Sequence, residues 1–198
     1  MVTATSEVLD RRDAVARLLA DRGEALVVTG LGSPSYDVHA HGDHHANYYL
    51  WGAMGGAALV GFGLAQAQPG RRVLVITGDG EQLMALGGLA TIAAARPTNL
   101  DIVVLDNEHY GETGMQTSHT GLGIDIAAIA SAIGFADSRV VTTDDDLRQL
   151  ISDRRAPSTG PRLAVVKIRP ENLPRSMPSR DAVFIKNRFR ANLGLTPN

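Results

Sequence analysis

The chain has 198 residues, a net charge of −2 and no cysteine. That length holds one sizeable domain and argues against two full ones. The near-neutral balance excludes a broad basic field for nucleic acid or anionic lipid, and the lack of cysteine excludes disulfides, a thiolate nucleophile and thiolate metal ligands. No basic-then-apolar leader pattern opens the sequence, so a cytoplasmic location is expected. The stretch Leu50 to Ala67 is uncharged over 18 residues. It lies inside a strand–helix alternation, so a buried or interface helix is expected there rather than a membrane span.

In chain order, Ser6 caps a predicted helix to about Asp21, with Val8, Leu9, Ala14, Val15, Leu18 and Leu19 as its apolar face. Gly23 ends it. Ala25 to Thr29 reads as a buried strand, and Gly30 to Ser35 as a loop. Tyr36 to Ala46 reads as irregular and His-rich, and Asn47 to Leu50 as a short strand. A Gly/Ala-rich helix is expected from about Ala53 to Gln68, broken by Pro69-Gly70. Arg72 to Thr77 and Leu100 to Leu105 are apolar runs of strand length, joined by helical spacing from Glu81 to Ala95. Gly111 to Gly123 reads as a long polar loop. A helix over Ile124 to Ile133, a strand over Arg139 to Thr142, a helix over Asp144 to Arg154 and a strand over Leu163 to Ile168 follow. A Pro-rich linker, residues 170–178, leads to a terminal helix from about Asp181 to Leu193. Strands alternating with helices predict a doubly wound α/β domain, with a mostly parallel six-stranded sheet and helices on both faces.

Gly78-Asp79-Gly80 closes one of these strands, and Asn107 closes the next, 27 residues after Gly80. In an open parallel sheet, that edge is where ligands bind. Asp79 and Asn107 offer side-chain oxygens of the kind Mg²⁺ takes. Gly80 would let a phosphate approach backbone N–H groups at the start of a helix. On these residues alone, Asp79-Gly80 also reads as a plain turn of a βαβ unit.

The strand, the Gly-Asp-Gly run, the helix, the second strand and its Asn together resemble the thiamine diphosphate enzymes. The resemblance implies that Asp79, Asn107 and the carbonyl of His109 hold Mg²⁺ on the cofactor's diphosphate. Where that family often has a second Asn, this chain has Asp106. Gly52-Ala53-Met54-Gly55 is similar to the segment that shapes the cofactor. By that likeness Met54 sits between the two rings and enforces the bent form, and the Gly52 carbonyl accepts from the pyrimidine amino group. Without the likeness, Met54 reads as a core methionine. The backbone of Gly32, with Ser33, is expected in the diphosphate loop. Gly78, Gly80 and the N–H of Glu81 are expected against the phosphates, with the Glu81 carboxylate turned to solvent or a cation. The loop from Glu108 to Thr120, with His109, Tyr110, Gly111, Glu112, Thr113, Gln116, Ser118 and His119, must pass the diphosphate.

His39, His41, His44 and His45 cluster in a polar stretch that fits an active-site lining or solvated surface better than a zinc site. The likeness is closer still to the sulfopyruvate and phosphonopyruvate decarboxylase group. It runs through Asn47-Tyr48-Tyr49, Pro97-Thr98-Asn99-Leu100, Tyr110 to Gln116 and Ile185 to Phe189. It implies decarboxylation of a small anionic 2-oxoacid, the cofactor acting as electron sink. It also implies a partner chain: a pyrimidine-binding domain supplies the glutamate that protonates the aminopyrimidine, and this length leaves no room for one. A carboligase on another oxoacid, or a regulatory subunit without catalysis, would carry similar residues.

Overall fold

The computed structural model describes residues 8–20 and 22–196. Ser6 and Asp21, the expected bounds of the first helix, lie outside the described residues. The strands are β1 (Leu26–Thr29), β2 (Asn47–Tyr49), β3 (Val73–Gly78), β4 (Leu100–Asp106), β5 (His109–Tyr110), β6 (Gln116–Thr117), β7 (Asp137–Val141) and β8 (Arg162–Lys167). The helices are α1 (Arg11–Ala20), α2 (Ser33–Ala40), α3 (Ala57–Ala67), α4 (Asp79–Met84), α5 (Leu86–Ala95), α6 (Ile126–Ala132), α7 (Asp144–Asp153) and α8 (Ala182–Asn192).

Six strands form one parallel sheet in the order β2-β1-β3-β4-β8-β7. Each of the six predicted strands is present within a few residues of its expected bounds. The central strands bury side chains on both faces, and period-2 alternation sorts these into two cores. Leu26, Val28, Val73, Val75, Ile102 and Val104 enter one, beside Ala58, Leu89 and Ala130 of α3, α5 and α6. Val27, Leu74, Ile76, Val103 and Leu105 enter the other, beside Val15, Val38 and Leu147 of α1, α2 and α7.

Four expectations are corrected. Residues Gly30 to Ser35 and Tyr36 to Ala46 are not all irregular, because α2 occupies Ser33–Ala40. Pro34, part of the expected loop, sits in the first turn of α2, where its missing N–H costs nothing. The helix expected from Ala53 begins at Ala57, after a turn in which Gly52 and Gly55 take φ of 72° and 89°. The helix expected from Glu81 to Ala95 is two helices that meet at Ala85, whose ψ of 34° leaves the helical range. The break seats α5 close to α3: a Cβ on Gly88 would lie 3.1 Å from Leu59. Finally, the polar loop after Asn107 contains a small antiparallel hairpin, β5 with β6.

The Pro-rich segment 170–178 has no regular structure but is no free tether. Its Pro174 carbonyl accepts from Arg12 and its Ser176 hydroxyl contacts His39 Nδ1 at 2.8 Å. Arg175 pairs with Glu112 at 2.8 Å. The segment straps the loops at the carboxyl edge of the sheet.

Candidate active site

The chain passes from β1 outward to β2, then returns to place β3 on the other side of β1. That reversal opens a crevice between the loops after β1 and β3. A cavity of about 220 Å³ lies at this point. Leu31 and Ser33 line it after β1, Gly78 to Glu81 after β3, and Asn107 after β4. Met54, His109, Tyr110 and Gly111 also line it. Ten residues expected at the cofactor, Ser33, Met54, Gly78 to Glu81, Asn107 and His109 to Gly111, therefore share one cavity. Gly32 and Gly52 do not line it; each turns the chain at a positive φ, 75° and 72°.

Asp79 is buried, and hydroxyls orient it. Its Oδ2 accepts from Ser118 Oγ and lies 3.1 Å from Thr120 Oγ1. Thr120 Oγ1 also donates to Asp106 Oδ1 at 2.7 Å, and Lys167 Nζ donates to Asp106 Oδ2 at 2.8 Å and Glu108 Oε1 at 2.6 Å. Burial raises the Asp79 pKa. Its hydroxyl partners act the other way, while the neighbouring Asp106 carboxylate adds to the rise. Burial disfavours the Lys167 ammonium, but its two carboxylate partners outweigh that and hold its pKa above the usual value. Lys167 thus offsets the extra charge of having Asp, not Asn, at position 106.

Two overlapping Asx turns shape the strand end. The Glu108 N–H donates to Asp106 Oδ1 at 3.0 Å, and the His109 N–H donates to Asn107 Oδ1 at 3.1 Å. Glu108 sits between them in the left-handed region, at φ 62°. His109 Nδ1 lies 2.8 Å from the Asn107 carbonyl, which can only accept, so that nitrogen carries a proton. The Tyr110 ring lies over Gly80, where a Cβ would fall 2.4 Å from Cε1. Gly80 is therefore fixed by a close neighbour as well as by any phosphate.

The carboxylate of Asp79, the amide oxygen of Asn107 and the carbonyl of His109 are all hard oxygen donors. That set could hold Mg²⁺ and suits it better than zinc. The His-rich stretch divides instead: His39 contacts Ser176, and His44 Nδ1 accepts from the Ala46 N–H at 3.0 Å. Among the described residues no group of three His, Asp or Glu could hold a metal.

The Glu81 carboxylate turns to neither solvent nor a cation site. It is buried among donors and accepts from Thr77 Oγ1 at 2.9 Å and from the Gly55 N–H at 3.3 Å. Burial raises its pKa against those hydrogen bonds.

Residue-level reading missed Lys167, Thr120 and Arg11. Lys167 had a signal, since a lysine closing an apolar strand must face the strand's polar end. Arg11 had none: it lines the cavity because Asp37 of α2 holds its Nε at 2.7 Å.

Residues 30–168 match the family model described as thiamine pyrophosphate enzyme, C-terminal TPP binding domain. The chain belongs to the thiamine pyrophosphate enzyme family. It is 38% identical over 182 residues to the sulfopyruvate decarboxylase subunit beta of Methanothermobacter thermautotrophicus, covering 92% of this chain and 94% of that one. It is 38% identical over 186 residues to the phosphonopyruvate decarboxylase of Streptomyces viridochromogenes, but spans only 46% of that longer protein. The benzoylformate decarboxylase structure from Polynucleobacter necessarius shares the fold, with a TM-score of 0.70 over 84% of this chain and 34% of that one, at 24% identity. No helix among the described residues is long and apolar enough to cross a membrane.

Proposed function

We propose that this chain is the diphosphate-binding subunit of a 2-oxoacid decarboxylase whose substrate is a small anionic acid such as sulfopyruvate or phosphonopyruvate. The observation that carries the reading is the near full-length match to a decarboxylase beta subunit, with the oxygen donors Asp79, Asn107 and His109 gathered at one cavity. Bound there, thiamine diphosphate supplies the electron sink for loss of CO₂. The residues of this chain bind and orient it. Asp79 and the Asn107 turn would hold the metal, the loop at Gly32 and Ser33 would meet the diphosphate, and Met54 would support the bent form.

A partner chain carrying a pyrimidine-binding domain would supply the catalytic glutamate. Exposed apolar side chains beside the cavity support this. Met54 is 44% exposed, Leu59 41% and Met84 63%. Met84 adjoins the Met54 turn, since a Cβ on Gly55 would meet Met84 Cβ at 3.2 Å, and Leu59 lies against Gly88 of α5. Apolar surface of this kind seeks cover.

The test is CO₂ release from sulfopyruvate, phosphonopyruvate and pyruvate, with thiamine diphosphate and Mg²⁺, by the chain alone and with the partner chain. Activity is expected only in the mixture, and strongest on one of the anionic acids. Robust decarboxylation by the lone chain would overturn the split-subunit reading.

A further inference from the structure

Glu81 directly follows Gly80, yet its carboxylate packs against three separate segments. At the end of β3, Thr77 Oγ1 donates to Oε2 at 2.9 Å. In the turn that carries Met54, the Gly55 N–H donates to Oε1 at 3.3 Å. The backbones of Leu31 and Ala57 also favour the charged carboxylate. Glu81 is only 4% exposed.

Two further observations show a built arrangement. The N-terminus of α3 has no side-chain cap of its own. Glu81 brings a carboxylate there from another element, where the free N–H groups and the helix dipole favour an anion. The end of β1 also leaves room for it: a Cβ on Gly30 would stand 1.7 Å from Glu81 Oε2. A buried carboxylate costs free energy unless its lone pairs are met, and this one is met by the segments that surround the cavity.

We propose that Glu81 is a positioning residue: its carboxylate ties the loop after β1 and the Met54 turn to the end of β3, and so sets the spacing between the diphosphate loop and Met54. The inference rests on the cavity being the thiamine diphosphate site. It assigns Glu81 a role beyond lending a backbone N–H to phosphate. Loss of the tie would let the two halves of the site drift, and displacements near 1 Å cost up to about 100-fold in rate.

The chain's single tryptophan, Trp51, stands beside Gly52 and gives a readout independent of activity. The experiment titrates Glu81→Ala, Glu81→Gln and Thr77→Val of the full chain with thiamine diphosphate and Mg²⁺. Trp51 emission and calorimetry follow binding, and thermal melts check folding. With the partner chain present, kcat and KM are also measured. For Glu81→Ala the expected result is a cofactor affinity weaker by roughly 10- to 100-fold and a lowered kcat, with substrate KM within about twofold. Glu81→Gln keeps the shape and one carbonyl oxygen, so its loss should be smaller. Thr77→Val removes one donor and should fall between wild type and Glu81→Ala. If Glu81→Ala does not fold, Glu81→Gln and Thr77→Val decide the matter. A lowered melting temperature with unchanged affinity and kcat in the folded variants would overturn the positioning role, leaving a purely structural tie. Asp79→Ala, run in parallel, separates the two claims. Lost affinity there with none lost in the Glu81 variants overturns the positioning role alone. Unchanged affinity in Asp79→Ala overturns the cofactor site beneath it.

Discussion

Asp79 faces its proposed metal with one carboxylate oxygen already engaged by Ser118 and Thr120. Replacing it by alanine removes the only charged ligand of the set. Asp79→Ala should weaken Mg²⁺-dependent cofactor binding by at least about 100-fold, read by calorimetry, since even outer partners of metal ligands are worth 10- to 100-fold. Thr120→Val is a sharper probe, because it keeps the volume and deletes only the hydroxyl between Asp79 and Asp106. It should cost about 10-fold or more in the same titration, and an unchanged isotherm would mean that the hydroxyl does not orient Asp79. Met54→Ala should behave oppositely: its bulk supports geometry rather than charge, so kcat should fall more than cofactor affinity. At this scale the sequence was legible where chemistry is local in the chain. Asp79 and Asn107 announce themselves by closing strands. The Lys167–Asp106 pair does not, because 61 residues separate partners that only strand pairing brings together. The Glu81 carboxylate was misjudged for the same reason, as its surroundings come from segments near residues 30, 55 and 77.

The four inner strands were readable because each is a short, mostly apolar run bounded by polar or glycine residues, and burial on both faces removes any need for alternation. Helix ends were harder. The start of α2 was hidden by Gly32, Ser33 and Pro34, which resemble a loop until the neighbouring strand packs against Val38. The split at Ala85 has no proline to mark it, and only the close approach of α5 to α3 accounts for it. Where capping chemistry is explicit, as in α7, structure follows directly. Thr143 and Asp146 form a reciprocal capping box there, the Asp146 N–H donating to Thr143 Oγ1 at 3.1 Å. Thr143→Ala should lower stability by about 1 kcal/mol in denaturant unfolding and leave cofactor affinity unchanged. α7 packs on the face carrying α1, and none of its residues lines the cavity. A loss of cofactor affinity would show that α7 communicates with the site.

For the molecule as a whole, the proposed partner would cover an apolar patch near the cavity. Leu59 and Met84 do not line the cavity, yet both stand exposed, Met84 against the Met54 turn and Leu59 against Gly88. Leu59→Glu combined with Met84→Glu should weaken partner binding by roughly 10-fold or more, measured by sedimentation, with the melting temperature of the isolated chain little changed. Retained binding would move the partner surface elsewhere. The architecture has one further consequence. In the all-parallel sheet the cavity occupies the carboxyl edge, so the amino edge is free of proposed ligand contacts. Gly70 stands there, exposed before β3, with open space where a side chain would go. Because the chain has no cysteine, Gly70→Cys would give a single thiol at the end of the molecule remote from the chemistry. A dye or surface tether attached at that thiol should leave cofactor affinity within about twofold of the unlabelled chain, since it touches none of the cavity walls. The fold thereby offers a handle by which single molecules could be held at one end and watched as they meet cofactor and partner at the other.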